Sequence, residues 1–137
     1  MPNGETTLCD TGPLVALYDP SDLQEENCRT TLAGLAGPLV TTLPVLTEAM
    51  YLLEHPVRRE LLWELLLSGG VGLAEMFQED LSRMHNLMAK YADLPMDFAD
   101  ASLVVLGERL RLRKVFTLDR HFSLYRPSYI RRFEIVP

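Results

Sequence analysis

Carboxylates recur at four places in this sequence, each beside an apolar run. Asp10 stands in LCDTGPLVALYD, Glu48 in TTLPVLTEAMYLL, Asp97 and Asp100 in LPMDFADASLVV, and Asp119 in RKVFTLDRHF. Asp97 and Asp100 are three residues apart, so they share one face of a helix. A helix cap accounts for an aspartate at such a place, and so does a metal ion. Taken singly, Asp10, Asp97, Asp100 and Asp119 leave both readings open. Glu48 does not, because it sits well past the first turn among Pro44, Val45, Tyr51 and Leu52. A carboxylate on such a face needs a partner, since burying an unpaired charge is costly. Two carboxylates about 4 Å apart repel by about 4 kcal/mol at an effective dielectric near 20. Several in one pocket therefore need protons or a cation. Hard oxygen donors without a His or Cys cluster suit Mg²⁺ or Mn²⁺ rather than zinc. The chemistry this implies is metal-assisted hydrolysis of a phosphodiester.

The elements that must bring these acids together alternate. Short apolar strands are expected at Thr6–Cys9, Leu39–Thr41, Val71–Ala74, Val115–Thr117 and Phe133–Val136. Between them lie helical patterns. DTGPLVALY carries Pro13 in its first turn. SDLQEENCRTTLAGLAG has helical spacing through Leu23, Cys28, Leu32 and Leu35, with Gly34 and Gly37 as a stop. TTLPVLTEAMYLLE, PVRRELLWELLLSGG, FQEDLSRMHNLMAKYAD and MDFADASLVVLGERLRL follow. Strands alternating with helices predict an α/β fold, a parallel sheet covered on both faces. Ligands of such folds bind beyond the C-terminal strand ends. Asp10 and Asp119 follow strands directly, and the starts of the next helices lie close by.

A chain of 137 residues predicts a single domain, 1–137, since domains commonly run to roughly 100–150 residues. No apolar run reaches the ~18 residues of a membrane helix. The first ten residues, MPNGETTLCD, lack the basic and apolar regions of a signal peptide. A cytoplasmic protein without a membrane partner is expected, with Cys9 and Cys28 as free thiols. The net charge of −6 argues against nucleic acid at first sight. The distribution is uneven, however. From Arg109 onward seven arginines and Lys114 face only Asp119 and Glu134.

The four acidic stretches stand in the order of a PIN domain, and the chain resembles most closely the VapC-type toxins of toxin–antitoxin pairs. The resemblance runs from Leu8 to Phe122 and beyond. It implies a three-layer α/β/α sandwich and a Mg²⁺- or Mn²⁺-dependent endoribonuclease. Carried over by position, Asp10, Glu48, Asp100 and Asp119 are the catalytic acids. Asp10 and Asp100 are the expected direct ligands, with Asp97 as a helper. Glu48 and Asp119 are expected to bind a second ion, hold waters or activate the attacking water. Thr11 and Thr117 match hydroxyl positions that line the pocket. The resemblance also implies an RNA substrate, a cognate antitoxin and a homodimer. One departure is Asn27, where many relatives carry histidine.

Other residues have plainer readings. His121 reads as a polar loop residue and His85 as a packed histidine on its helix. RRELLWELLLSGG is apolar nearly all round, which points either to core burial or to a partner anchored by Trp63. Arg120, Arg126, Arg131 and Arg132 form either an RNA path or a solvated basic edge. Two other functions compete with the nuclease. A PIN-like binding module without activity would be expected to lose acids. A phosphoacceptor domain would be expected to keep a lysine near the site, whereas Lys114 precedes its strand.

Overall fold

The structure, a computed structural model, describes residues 4–137, so the reading of Met1–Asn3 lies outside it. Five strands form one sheet: β1 Thr7–Cys9, β2 Leu39–Thr41, β3 Val71–Leu73, β4 Lys114–Phe116 and β5 Glu134–Val136. Six helices connect them: α1 Thr11–Ala16, α2 Glu25–Gly34, α3 Leu43–Leu53, α4 Pro56–Leu67, α5 Asp80–Lys90 and α6 Phe98–Leu110. The expected elements are all present, and strand boundaries move by a residue. The strand order is β3-β2-β1-β4-β5, and every pairing is parallel. The fold is the expected three-layer α/β/α sandwich.

The strand order decides where a ligand can bind. From β1 the chain first builds outward through β2 and β3, then returns to place β4 on the other side. The reversal opens a crevice between the C-terminal ends of β1 and β4. Register pairs Cys9 with Phe116, so Asp10 and Thr117 leave the sheet side by side. The Asp10 amide donates to the Phe116 carbonyl at 2.9 Å and extends that pairing.

The central helix is α6. Its residues Ala99 to Gly107 are all buried. Small side chains let it lie close to the sheet: a Cβ on Gly107 would come within 3.0 Å of Leu8 Cδ1 and 3.1 Å of Phe133 Cε1. The hydroxyls of Thr42 and Ser102 meet at 2.7 Å and tie the start of α3 to α6. Thr41 Oγ1 donates to the Cys9 carbonyl at 2.7 Å and holds β2 against β1.

Two expectations about burial are corrected. His85 is exposed, because the inward face of α5 is formed by Met84 and Leu87. Core burial of α4 also fails. Only Leu62 is buried, while Trp63 is 49% and Leu67 80% exposed. The helix packs Leu62, Leu65 and Leu66 against the core on the α3 side of the sheet and leaves Val57, Leu61, Trp63 and Leu67 exposed. Leu23 is 97% exposed as well, since α2 starts two residues later.

Beyond β4 the chain is held by an aromatic stack and one carboxylate. Phe122 meets Tyr125 edge-on at 5.1 Å, and Tyr125 lies 5.0 Å from Tyr91. Glu108 accepts from Arg83 Nε at 3.0 Å and Nη2 at 2.9 Å, and from the Ser128 amide at 2.7 Å. Burial raises the Glu108 pKa, but the Arg83 and Ser128 hydrogen bonds outweigh it and leave the carboxyl below its ordinary value. A depressed folded pKa stabilises above the unfolded value and is lost as pH falls through the folded one. Glu108→Gln is therefore expected to cost about 1–2 kcal/mol at neutral pH, as a charged hydrogen bond partly exposed to water. Urea unfolding should show the gap from wild type closing as pH falls below about 4.3, the unfolded glutamate value.

Candidate active site

Asp10, Thr11, Glu48, Asp97, Asp100 and Asp119 line one cleft of about 440 Å³ at the crevice between β1 and β4. Thr117 lies against it through Asp10. Five carboxylates far apart in sequence thus face one space.

Asp10 occupies the N-cap position of α1, but its side chain makes no capping bond. The capping reading is wrong here because another donor claims the carboxylate. Thr117 Oγ1 donates to Asp10 Oδ2 at 2.7 Å, and the same hydroxyl oxygen accepts from the Asp119 amide at 2.9 Å. One hydroxyl therefore sets the positions of two acids. For Asp97 and Asp100 the cap is real. Asp97 Oδ1 accepts from the Asp100 amide at 2.7 Å, and Asp100 Oδ2 accepts from the Asp97 amide at 3.2 Å. This capping box fixes both side chains while each keeps a second oxygen for the cleft. Asp119 caps a 3-10 helix, Arg120–Ser123, through the His121 amide. His121 is more than a loop residue: it lines the cleft, with Nδ1 3.0 Å from Asp119 Oδ1.

Burial separates the acids into three kinds. Asp10 and Asp100 are buried, Glu48 and Asp119 half-buried, and Asp97 exposed. Burial pushes Asp10 up to about 6, against the hydrogen bonds from Thr117 and the Thr11 backbone, and the charges of Asp119 and Glu48 add to the rise. Burial likewise pushes Asp100 up to about 8, opposed by the Asp97 amide and reinforced by Asp10, Asp97 and Asp119. Two buried hydroxyls among the described residues lack a partner, Thr11 Oγ1 and Tyr125 Oη. Thr11 lines the cleft itself. Tyr125 feels the charges of Asp100, Asp119, Asp97 and Asp10, so it sits behind the same acids. Sequence reasoning missed Tyr125, because a tyrosine after an apolar run looks like any core residue.

Among the described residues no three or more His, Cys, Asp or Glu side chains stand together so that they could hold a metal ion between them. The donor set still fits a hard divalent ion. It consists of carboxylates and hydroxyls, it includes an unpartnered buried hydroxyl, and burial, with neighbouring carboxylates adding to it, holds Asp10 and Asp100 above their ordinary values. An open array also suits Mg²⁺, which keeps several waters and takes only one or two carboxylates.

The raised acids give a sign for pH dependence. A carboxylate whose folded pKa lies above the unfolded value stabilises fully below the unfolded value, and that stability is lost as pH rises through the folded one. The window for Asp100 runs from 3.8 to about 8. In EDTA the protein should lose melting temperature from mildly acidic to mildly alkaline pH. Asp100→Asn should melt higher than wild type at the alkaline end and level with it at the acidic end, as followed by circular dichroism.

Comparison with known proteins agrees with this geometry. The family model described as PIN domain matches residues 7–126. Ribonuclease VapC26 of Mycobacterium tuberculosis (strain ATCC 25618 / H37Rv) is 32% identical over 139 residues, covering 95% of this chain and 99% of that protein. The crystal structure of Mycobacterium tuberculosis VapC20, described as a sarcin-ricin loop cleaving toxin, superposes with a TM-score of 0.81 at 17% identity, covering 91% of this chain and 98% of that one. At that identity the second likeness speaks for the fold alone. The family match spans most of the chain and includes all five acids, and on these grounds the chain belongs to the PIN domain family and to its VapC type.

Proposed function

We propose that this protein is the toxin of a toxin–antitoxin pair, a divalent-metal-dependent endoribonuclease that hydrolyses RNA phosphodiester bonds in the cytoplasm. The observation that carries the reading is the pair of buried carboxylates, Asp10 and Asp100, held above their ordinary pKa values beside the unpartnered Thr11 hydroxyl. The curated relative is named a ribonuclease, and the structural neighbour a toxin that cleaves the sarcin-ricin loop.

Asp10 and Asp100 would hold Mg²⁺ or Mn²⁺, with Asp97, Glu48 and Asp119 next to them. When bound, the ion supplies positive charge against the phosphate and lowers the pKa of a water molecule. The chain's own residues do the positioning. Thr117 holds Asp10 by Oδ2. The capping box holds Asp100 by Oδ2 in the same way. Glu48 makes no hydrogen bond or ion pair among the described residues, and it stands at the cleft rim, able to take a proton from water. Asp119 shares its Oδ1 with His121, which orients it and leaves Oδ2 open.

The proposed protein partners are a second copy and a cognate antitoxin. Exposed apolar surface is available for such contacts. A groove of about 460 Å³ between α3, α4 and β3 presents Leu43, Met50, Trp63, Leu66, Leu67 and Leu73. No helix among the described residues is long and apolar enough to cross a membrane.

Purified protein should cut pooled cellular RNA with Mg²⁺ or Mn²⁺ and stop in EDTA. Asp10→Asn should lower the rate at least ~100-fold, since several kcal/mol of charge stabilisation depend on its carboxylate. Gel analysis of the products checks both, and cleavage surviving either control would overturn the reading. Light scattering should return twice the chain mass; the mass of one chain would remove the homodimer.

A further inference from the structure

Three clefts run end to end from the C-terminal ends of β1 and β4 to the outer edge of β5, where the third reaches the strand starts at Arg113 and Glu134. The acid cleft shares Leu118 with a second cleft of about 180 Å³, lined also by Gln24, Asn27 and Arg120. Arg120 in turn lines a third cleft of about 430 Å³, with Arg132 beside the outer strand β5. The track begins at the carboxylates and ends among guanidinium groups.

Among the described residues Arg120 and Arg132 on this track lack a carboxylate partner, as Arg59, Arg111, Arg126 and Arg131 do off it, and the other arginines have one. Arg29, Arg58, Arg83, Arg109 and Arg113 each hold a carboxylate. Arg113 also touches the third cleft, but Glu5 and Glu134 neutralise it. Among the described residues no carboxylate pairs with Arg120 or Arg132, and both are exposed. In a chain of net charge −6, free positive charge is kept beside the most acidic crevice. Between them Asn27 Nδ2 donates to Gln24 Oε1 at 3.3 Å, which presents two side-chain amides on one wall. Amides offer both donors and acceptors, as sugar and base edges require.

We infer that single-stranded RNA leaves the acid centre along this track. The strand passes Leu118, lies against Gln24 and Asn27, and has its next phosphates held by Arg120 and Arg132. Guanidinium groups suit phosphate, and such contacts supply affinity without sequence preference. The inference rests on the ribonuclease reading and adds to it the direction of the substrate.

The test is binding of a short labelled single-stranded RNA in EDTA, followed by fluorescence anisotropy across a series of KCl concentrations. Cleavage with Mn²⁺ is measured separately. Arg120→Ala with Arg132→Ala should weaken binding by about 10-fold and reduce the salt slope by about 1.4, roughly 0.7 for each phosphate no longer neutralised. Arg120→Lys with Arg132→Lys should keep the slope. Gln24→Ala with Asn27→Ala should weaken binding a few-fold at an unchanged slope, as a second route should the first variant melt early. Lys90→Ala, outside the three clefts, should behave as wild type. Unchanged affinity and slope in the arginine variant of a protein that still cleaves RNA would overturn the track and leave the nuclease standing. Equal binding of poly-glutamate at matched charge would overturn it in favour of an acidic protein segment. A wild type that neither binds nor cleaves removes both readings.

Discussion

Asp10 and Asp100 are held away from water with other negative charges around them. The burial of each raises the energy of its charged form, and each neighbour raises it further. A fold tolerates this only if the surrounding structure fixes the acids firmly and a positive charge or a proton relieves them. Much of the architecture near the crevice does the fixing. Strand register sets Asp10 beside Thr117. The α6 capping box sets Asp97 and Asp100. The Thr42–Ser102 contact fixes the start of α3, the helix that carries Glu48. Elements that look unrelated in sequence meet in one electrostatic problem.

The anchoring is graded. The acids that are most buried are held by hydrogen bonds from the rigid parts of the fold, a strand end and a helix start. Asp119 is held by a short 3-10 helix, which the Phe122, Tyr125 and Tyr91 rings support from behind. Glu48 has no such tether. A site of this kind has a stiff centre and a softer rim, as the proposed metal and RNA would require.

The fold was legible in the sequence because each layer writes a distinct period. Each strand holds two apolar residues in a triplet, and the helices between them carry their own stops. The five acids were legible because they interrupt that pattern. What was missed depends on the third dimension. Nothing in the spacing of Asp10 shows that Thr117, more than a hundred residues on, takes the bond that a helix cap would have used. The run around Trp63 is apolar enough for a core, yet its helix lies at the margin of the sheet, where only one stripe can be covered. His85 shares a helix with buried residues, and one position of rotation turns it to solvent. Tyr125 became visible only through the charges its hydroxyl faces.

The strands are three residues long, and this bears on how the protein can change through evolution. A short ladder fixes its register with very few bonds, while the Asp10–Thr117 contact requires one register only. A single residue inserted in β1 or β4 would turn the next side chain to the opposite face and separate the two. The same insertion in the stretch between α1 and α2, or between the 3-10 helix and β5, would be absorbed by loop. Length variation among descendants of this chain should therefore gather in those two connections. The four short acidic stretches should keep their internal spacing even as the helices around them diverge.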